Sequence, residues 1–207
     1  MADEDFFTRE LALHESAYLA TDDPRAQSGF RGDAARWERA RGVIARAIDE
    51  DGAFLDVGCA NGLLLESLVT WTALDGRRIE PFGLDISPRL ASLARARVGA
   101  ERIFVGNALT WRPPRRFDFV RTELVYVPEA RRAEYLTRLL RDVVAPDGRL
   151  IVCSYGSATR PTPKAERVSE LVRPLEVAGE AESADTNGVV FTRIGWIDQR
   201  GRRSRAT

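Results

Sequence analysis

The sequence predicts an α/β fold: a doubly wound, mostly parallel seven-stranded sheet with a C-terminal antiparallel hairpin and an N-terminal helical cap. Three observations predict it. From residue 53 onward, short apolar runs alternate with amphipathic stretches of about 10–15 residues. Two stretches with helical periodicity precede the first of those runs, and an Asn-Gly pair separates the last two.

Residues 3–20 place Phe6, Phe7, Leu11, Leu13, Tyr18 and Leu19 at helical spacing, and residues 33–49 repeat the pattern with Trp37, Val43, Ile44 and Ile48. Between them, residues 21–32 are polar and rich in turn formers, a loop able to fold over a ligand. Strands are expected at 53–57, 80–84, 102–105, 117–122 and 148–154, and helices at 61–72, 88–98, 129–144 and 164–173. Such alternation implies right-handed crossovers and a sheet covered on both faces. Residues 108–116 contain Trp111 and Pro113-Pro114, which argues for an irregular connection. Residues 175–183 and 188–197 read as the closing strands, with Asp185-Thr-Asn187-Gly188 supplying a tight turn. The expected organisation is a helical cap at 1–50 within the same domain, the sheet domain at 51–198, and a flexible basic tail at 199–207.

A chain of 207 residues, 44% hydrophobic and 30% charged, is one folded domain with matter enough for a core. Basic and acidic residues number 31 each, so no global field draws the chain to nucleic acid or to an anionic membrane. Lys164 is the one lysine. Cys59, Cys153 and the single histidine, His14, give neither a disulfide framework nor a metal-ligand spacing, so no metal is expected. No apolar run approaches the ~18 residues that span a bilayer. The N-terminus is acidic where a signal peptide is basic, so a cytoplasmic location is the default expectation.

The stretch Phe54-Leu55-Asp56-Val57-Gly58-Cys59-Ala60-Asn61-Gly62-Leu63 carries the most chemistry. A strand runs into small residues and then a helix, so a ligand can approach the backbone and meet free N–H groups. The dinucleotide fingerprint fails, because counting from Gly58 its three glycine positions hold Gly58, Ala60 and Leu63. The phosphate-loop pattern fails for want of a lysine. An acid ahead of the first glycine suits a cationic ligand and repels a pyrophosphate.

These residues resemble the class I S-adenosylmethionine-dependent methyltransferases, Rossmann-like proteins whose first loop reads Asp/Glu-x-Gly-x-Gly-x-Gly. Asp56 to Gly62 matches with Ala60 at the middle glycine, a mild departure if the backbone there needs no positive φ. Phe82-Gly-Leu-Asp85-Ile86-Ser87 then supplies the acid that, in this family, accepts from both ribose hydroxyls. Ser87-Pro88 opens the following helix as an N-cap and a first-turn proline. Gly106-Asn107-Ala108 resembles the family's Gly-Asp-Ala at the adenine, with Asn107 for the acid and its amide oxygen still able to accept. Phe117-Asp-Phe-Val120 and the Pro146-x-Gly148 approach to the next strand complete the series. The resemblance implies S-adenosylmethionine as cofactor, bound by Asp56, Gly58, Cys59, Ala60 and Gly62 of the loop, by Asp85 and Ile86, and by Asn107, Ala108 and Thr122.

The methyl on a sulfonium is already activated, so the enzyme mainly positions and excludes water, and a base is needed chiefly for a poorly acidic hydroxyl. The acceptor belongs at the carboxyl ends of the strands. Candidates there for catalysis are Glu123 and Tyr126 after strand four and His14 from the cap. The Asn/Asp-Pro-Pro-Tyr/Phe run of many nucleobase amino-methylating enzymes is missing, which favours a small-molecule acceptor with residues 21–32 as a lid. An RNA or protein methyltransferase is the alternative, since residues 77–141 hold 14 arginines against 7 acids. A non-enzymatic cofactor-binding protein on the same fold is the third reading.

Overall fold

Alternate residues of each central strand are apolar toward opposite faces, and this sets the layering of the molecule. The computed structural model describes residues 2–156 and 164–199. Its strands are β1 (Gly52–Val57), β2 (Ile79–Asp85), β3 (Ile103–Val105), β4 (Phe117–Glu123), β5 (Val144–Tyr155), β6 (Gly179–Ala184) and β7 (Val190–Asp198). They form one sheet in the order β3-β2-β1-β4-β5-β7-β6. The first five pair in parallel, while β7 runs antiparallel to both β5 and β6. The fold expected from the sequence is therefore the fold observed.

On one face Leu55, Val57, Val120, Leu150 and Val152 pack with Tyr135, Leu136 and Leu139. On the other, Phe54, Phe119, Ile151 and Cys153 pack with Ile44, Leu65, Leu68 and Ala91. The helices that cover these faces are α1 (Ala2–Tyr18), α2 (Ala34–Arg41), α3 (Leu63–Leu74), α4 (Pro88–Val98), α5 (Arg132–Arg138) and α6 (Val168–Leu171). Asp33 caps α2 by accepting from the Arg36 amide at 2.8 Å, and Ser87 caps α4 by accepting from the Leu90 amide at 3.1 Å. No helix of the described residues is long and apolar enough to cross a membrane.

Four expectations about local structure change. The helix expected at 33–49 stops at Arg41 and continues as a 3₁₀ segment, Gly42–Ala47. Gly42 is a poor helix former, and burial of Val43, Ile44, Ala45, Ala47 and Ile48 exceeds what one stripe of an α-helix presents. The helix expected at 129–144 ends in a π turn, Leu139–Val143, so that Val144 can enter β5. Only Val168–Leu171 of the 164–173 helix forms, because Ala165 pairs its amide with the Val190 carbonyl upstream and Pro174 cannot continue a helix downstream. The next strand correspondingly starts at Gly179 and not at 175, after the Leu175 amide donates to the Val172 carbonyl in a turn.

The hairpin is also longer than the Asn-Gly pair implied. Gly188 donates to the Asp185 carbonyl, Asp185 donates to the Val189 carbonyl, and Gly188 alone in the turn has positive φ, at 76°. That is a three-residue loop ending in a left-handed glycine. Asp185 selects it, since its Oδ1 accepts from the amides of Asn187 at 2.8 Å and Val189 at 2.9 Å. Of the basic tail expected at 199–207, residues 200–207 lie outside the described residues.

Candidate active site

The chain reverses its direction of travel across the sheet between β1 and β4, which are neighbours. Loops leaving their carboxyl ends diverge there and leave a crevice. The loop after β1 turns back over β2: the amides of Gly58 and Cys59 both donate to the Leu84 carbonyl, at 2.7 and 3.1 Å. Gly58, Ala60 and Gly62 take positive φ of 80°, 47° and 78°, so every second residue is left-handed. Ala60 thus does sit where a glycine is favoured, contrary to the sequence expectation. The kink aims its amide at the Asp85 Oδ2, 2.8 Å away.

A left-handed alanine costs roughly 1–2 kcal/mol, and the extra chain entropy of glycine returns about half of that. Ala60→Gly is expected to stabilise the protein by about 1 kcal/mol, raising the melting temperature by about 2–4 °C. Thermal or urea unfolding checks it. A variant no more stable than the parent would show that the backbone at Ala60 is unstrained.

Asp85 ends β2 with its carboxylate buried. Oδ1 accepts from the Ser87 amide at 2.8 Å and Oδ2 from the Ala60 amide. Burial raises its pKa, and the two amides oppose that rise. Each oxygen retains lone-pair capacity toward the crevice.

Beneath the crevice lies a buried guanidinium that sequence reasoning passed over. Arg121, on β4, is 3% exposed. Its Nη1 donates to Asp56 Oδ1 at 3.0 Å and to the Tyr126 hydroxyl at 3.3 Å. Its Nη2 donates to Glu123 Oε1 at 2.5 Å and to the Tyr155 hydroxyl at 2.9 Å. Burial opposes its charge, but Tyr155, Tyr126, Asp56 and Glu123 together hold it protonated. Asp56, 1% exposed, is driven up to about 6 by burial, which Arg121 offsets only in part.

Tyr126 lies against the glycine loop so closely that a Cβ on Gly58 would fall 2.4 Å from its ring. Its hydroxyl donates to Glu123 Oε1 at 2.7 Å. Burial, then Glu123, pushes the phenol well above its ordinary range, so at neutral pH it is a donor and not a base. Glu123 is pinned through Oε1, while no described residue bonds Oε2, and the side chain remains 18% exposed to the crevice.

These groups line a cavity of about 680 Å³, within the roughly 300–1,000 Å³ range of pockets that bury small ligands. Of the residues expected at the site, Gly58, Ala60, Asp85, Ile86, Ala108, Glu123, Tyr126 and His14 line it. The other five do not line it. Asp56 faces Arg121, and Cys59 tucks its sulfur against Gly83. Gly62 backs onto Ala94, and Thr122 is fully buried, 2.6 Å from the Tyr135 hydroxyl. The Asn107 Oδ1 accepts from the Leu109 amide at 2.8 Å and so shapes its own loop.

The N-terminal segment roofs the cavity with Phe7, Leu11, His14 and Tyr18 of α1 and with residues 28–31. Glu15 fixes α1 by accepting from the Ser87 hydroxyl at 2.5 Å and pairing with Arg89 at 3.3 Å. Asn61 was missed as a structural hub. Wholly buried, it donates to the Pro24 carbonyl at 2.8 Å and accepts from the Ser28 hydroxyl at 2.6 Å, fastening the 21–32 loop to the glycine loop. His14 is half exposed and hydrogen-bonds Glu10 at 3.1 Å.

The donor set fits S-adenosylmethionine: the Asp85 carboxyl with spare acceptor capacity for ribose hydroxyls, small residues at the loop, and Glu123 where positive charge is welcome.

Residues 54–148 match a family model described as a methyltransferase domain. No curated protein matches the sequence. Among solved structures, Burkholderia thailandensis 1,6-didemethyltoxoflavin-N1-methyltransferase, determined with its substrate and S-adenosylhomocysteine, is 16% identical with TM-score 0.65, covering 97% of this chain and 91% of that one. The methyltransferase complexed with the Trm112 activator of Haloferax volcanii is 18% identical with TM-score 0.59, over 97% and 99% of the two chains. A TehB-like S-adenosylmethionine-dependent methyltransferase of Corynebacterium glutamicum is 17% identical with TM-score 0.55, over 81% and 96%.

Proposed function

We propose that this protein is a class I S-adenosylmethionine-dependent methyltransferase that methylates an O, N or C nucleophile of a small molecule held under the N-terminal roof, a reading supported by the methyltransferase-domain match at residues 54–148 and by the fold. The observation that carries this reading is the roofed cavity running from Asp85 past the glycine loop to Glu123. A site closed over by α1 suits an acceptor that can be enclosed, not a polymer laid across the surface. The Burkholderia neighbour, a 1,6-didemethyltoxoflavin-N1-methyltransferase, is in keeping with it.

The basic stretch at 77–141, which suggested RNA, is largely neutralised from elsewhere in the chain. Arg78 pairs with Asp51, Arg97 with Glu66, Arg141 with Asp142 and Arg131 with Asp3 and Glu134. Arg121 is buried, and Arg138 donates to the carbonyls of Trp111 and Ala108. These pairs reduce the field that a phosphate backbone would meet.

When bound, S-adenosylmethionine would supply an activated sulfonium methyl for transfer to the acceptor's lone pair, leaving S-adenosylhomocysteine. This chain's residues then do three things. Asp85 holds the ribose. The roof excludes water. The open Oε2 of Glu123 receives the proton that the acceptor loses, while Arg121 and Tyr126 fix the carboxylate through Oε1.

For a hydroxyl acceptor, Glu123→Gln is expected to lower kcat by about 10²–10⁴-fold and to change S-adenosylhomocysteine affinity by less than about threefold. A screen of acceptors with methyl-labelled cofactor, repeated on the variant, measures the first, and calorimetric titration with S-adenosylhomocysteine measures the second. Undiminished kcat on a hydroxyl acceptor would remove Glu123 as the base.

A further inference from the structure

The cavity is lined by charges of both signs, Glu10, Glu15, Asp85 and Glu123 together with Arg31, Arg36 and Arg41. Arg36 is partly engaged, donating to the Arg31 carbonyl at 2.9 Å. Arg41 is held differently. Its guanidinium carbon stands 3.6 Å from the ring centroid of Tyr155, 5.2 Å from that of Phe30 and 5.5 Å from that of Trp37. Among the described residues it has ring contacts but neither a hydrogen bond nor an ion pair.

Aromatic faces immobilise a guanidinium without consuming its N–H donors, which point outward in its plane. Arg41 is therefore a fixed, half-buried cation in a cavity wall, with its hydrogen-bonding capacity unspent. The platform beneath it is rigid as well, since the Tyr155 hydroxyl accepts from Arg121 at 2.9 Å. Such a group costs solvation unless an anion completes it.

Its position says whose anion. Asp85 ends β2, the glycine loop leaves β1, Glu123 ends β4 and Tyr155 ends β5, four adjacent strands in that order. At ~4.8 Å per strand, Arg41 on Tyr155 is about 14 Å along the sheet from the ribose-binding acid. It lies past Glu123 in that order, across the glycine loop from Asp85.

We propose that Arg41 is the anion site for the methyl acceptor, which is a small molecule bearing a carboxylate or phosphate on a mainly apolar body. The anion pairs with the Arg41 edge, the body lies against Phe30 and Phe191, and the nucleophile is presented toward Glu123. This rests on the methyltransferase reading above.

The test is calorimetric titration of the S-adenosylhomocysteine-saturated protein with 4-hydroxybenzoate, 4-hydroxyphenyl phosphate and the neutral 4-hydroxybenzamide. At least one anion is expected to bind about tenfold or more tightly than the amide, and the preferred one identifies the group. Arg41→Met should weaken that anion by about 10–100-fold while leaving S-adenosylhomocysteine affinity within twofold. Arg41→Lys, which keeps the charge and loses the planar fork, should fall between, and guards against a Met variant that misfolds. No preference for the anions, including failure of both to bind, overturns the proposal. So does a parallel fall in S-adenosylhomocysteine affinity, which would assign Arg41 to the cofactor's own carboxylate. Failure of S-adenosylhomocysteine to bind the unaltered protein would remove the methyltransferase reading itself, and this one with it.

Discussion

Asp85→Ala is expected to weaken S-adenosylhomocysteine binding by about two orders of magnitude. In the role proposed for Asp85, two ribose hydroxyls would lose a charged acceptor, and hydrogen bonds to a charged group contribute roughly 1.5–3 kcal/mol each. The damage goes further, because the same carboxylate accepts from the Ala60 and Ser87 amides at 2.8 Å each. Without it the left-handed turn at Ala60 loses its anchor, and two buried amides are left unpaired. Asp85→Asn is the informative companion. Its amide can accept from one of the two backbone donors but places an NH₂ against the other, so it should also lose affinity despite its shape. Calorimetry on both variants decides the matter. Affinity within threefold of the parent would show that the ribose is bound elsewhere.

Arg121→Met is expected to cost about 3–5 kcal/mol of stability at neutral pH, the usual penalty for leaving buried partners without their countercharge. Asp56 and Glu123 would then repel each other in a low dielectric, and the hydroxyls of Tyr126 and Tyr155 would lose a donor. The pH dependence separates this from a simple packing defect. In the parent protein the buried Asp56 titrates at about 6, above the carboxylate's unfolded value near 4. Its neutral form is favoured by folding, so that contribution is complete below about pH 4 and is lost as pH rises through about 6. Asp56→Asn should flatten this part of the stability curve. In Arg121→Met the carboxyl rises further, and acidification toward pH 5 should recover much of the lost stability. Urea unfolding at several pH values measures both effects, and a loss under 1 kcal/mol would mean that Arg121 does not compensate its neighbours.

The central strands were legible because burial on both faces demands near-continuous apolar runs, and the glycine loop because its spacing is local. Arg121 was not. A basic residue inside Phe117–Glu123 reads as an interruption, and three of its partners, Asp56, Tyr126 and Tyr155, come from three other segments. Ala60 misled for a related reason, since side-chain identity suggested a right-handed backbone that tertiary anchoring to Asp85 overrode. The helix at 164–173 failed where Ala165 found a strand partner, a competition invisible to periodicity. The cavity wall was half legible: residues that follow strands were found by order, whereas Arg41 required knowing that the end of α2 reaches the Tyr155 ring.

Asn61 lies between the two left-handed residues Ala60 and Gly62 and also holds Pro24 and Ser28 of the roof. The Asn61 side chain thus joins the glycine loop to residues 24–28, alongside the Glu15 contacts that hold α1 to Ser87 and Arg89. By linkage, any preference a ligand has for this joined arrangement is matched by an equal effect of the arrangement on the affinity for that ligand.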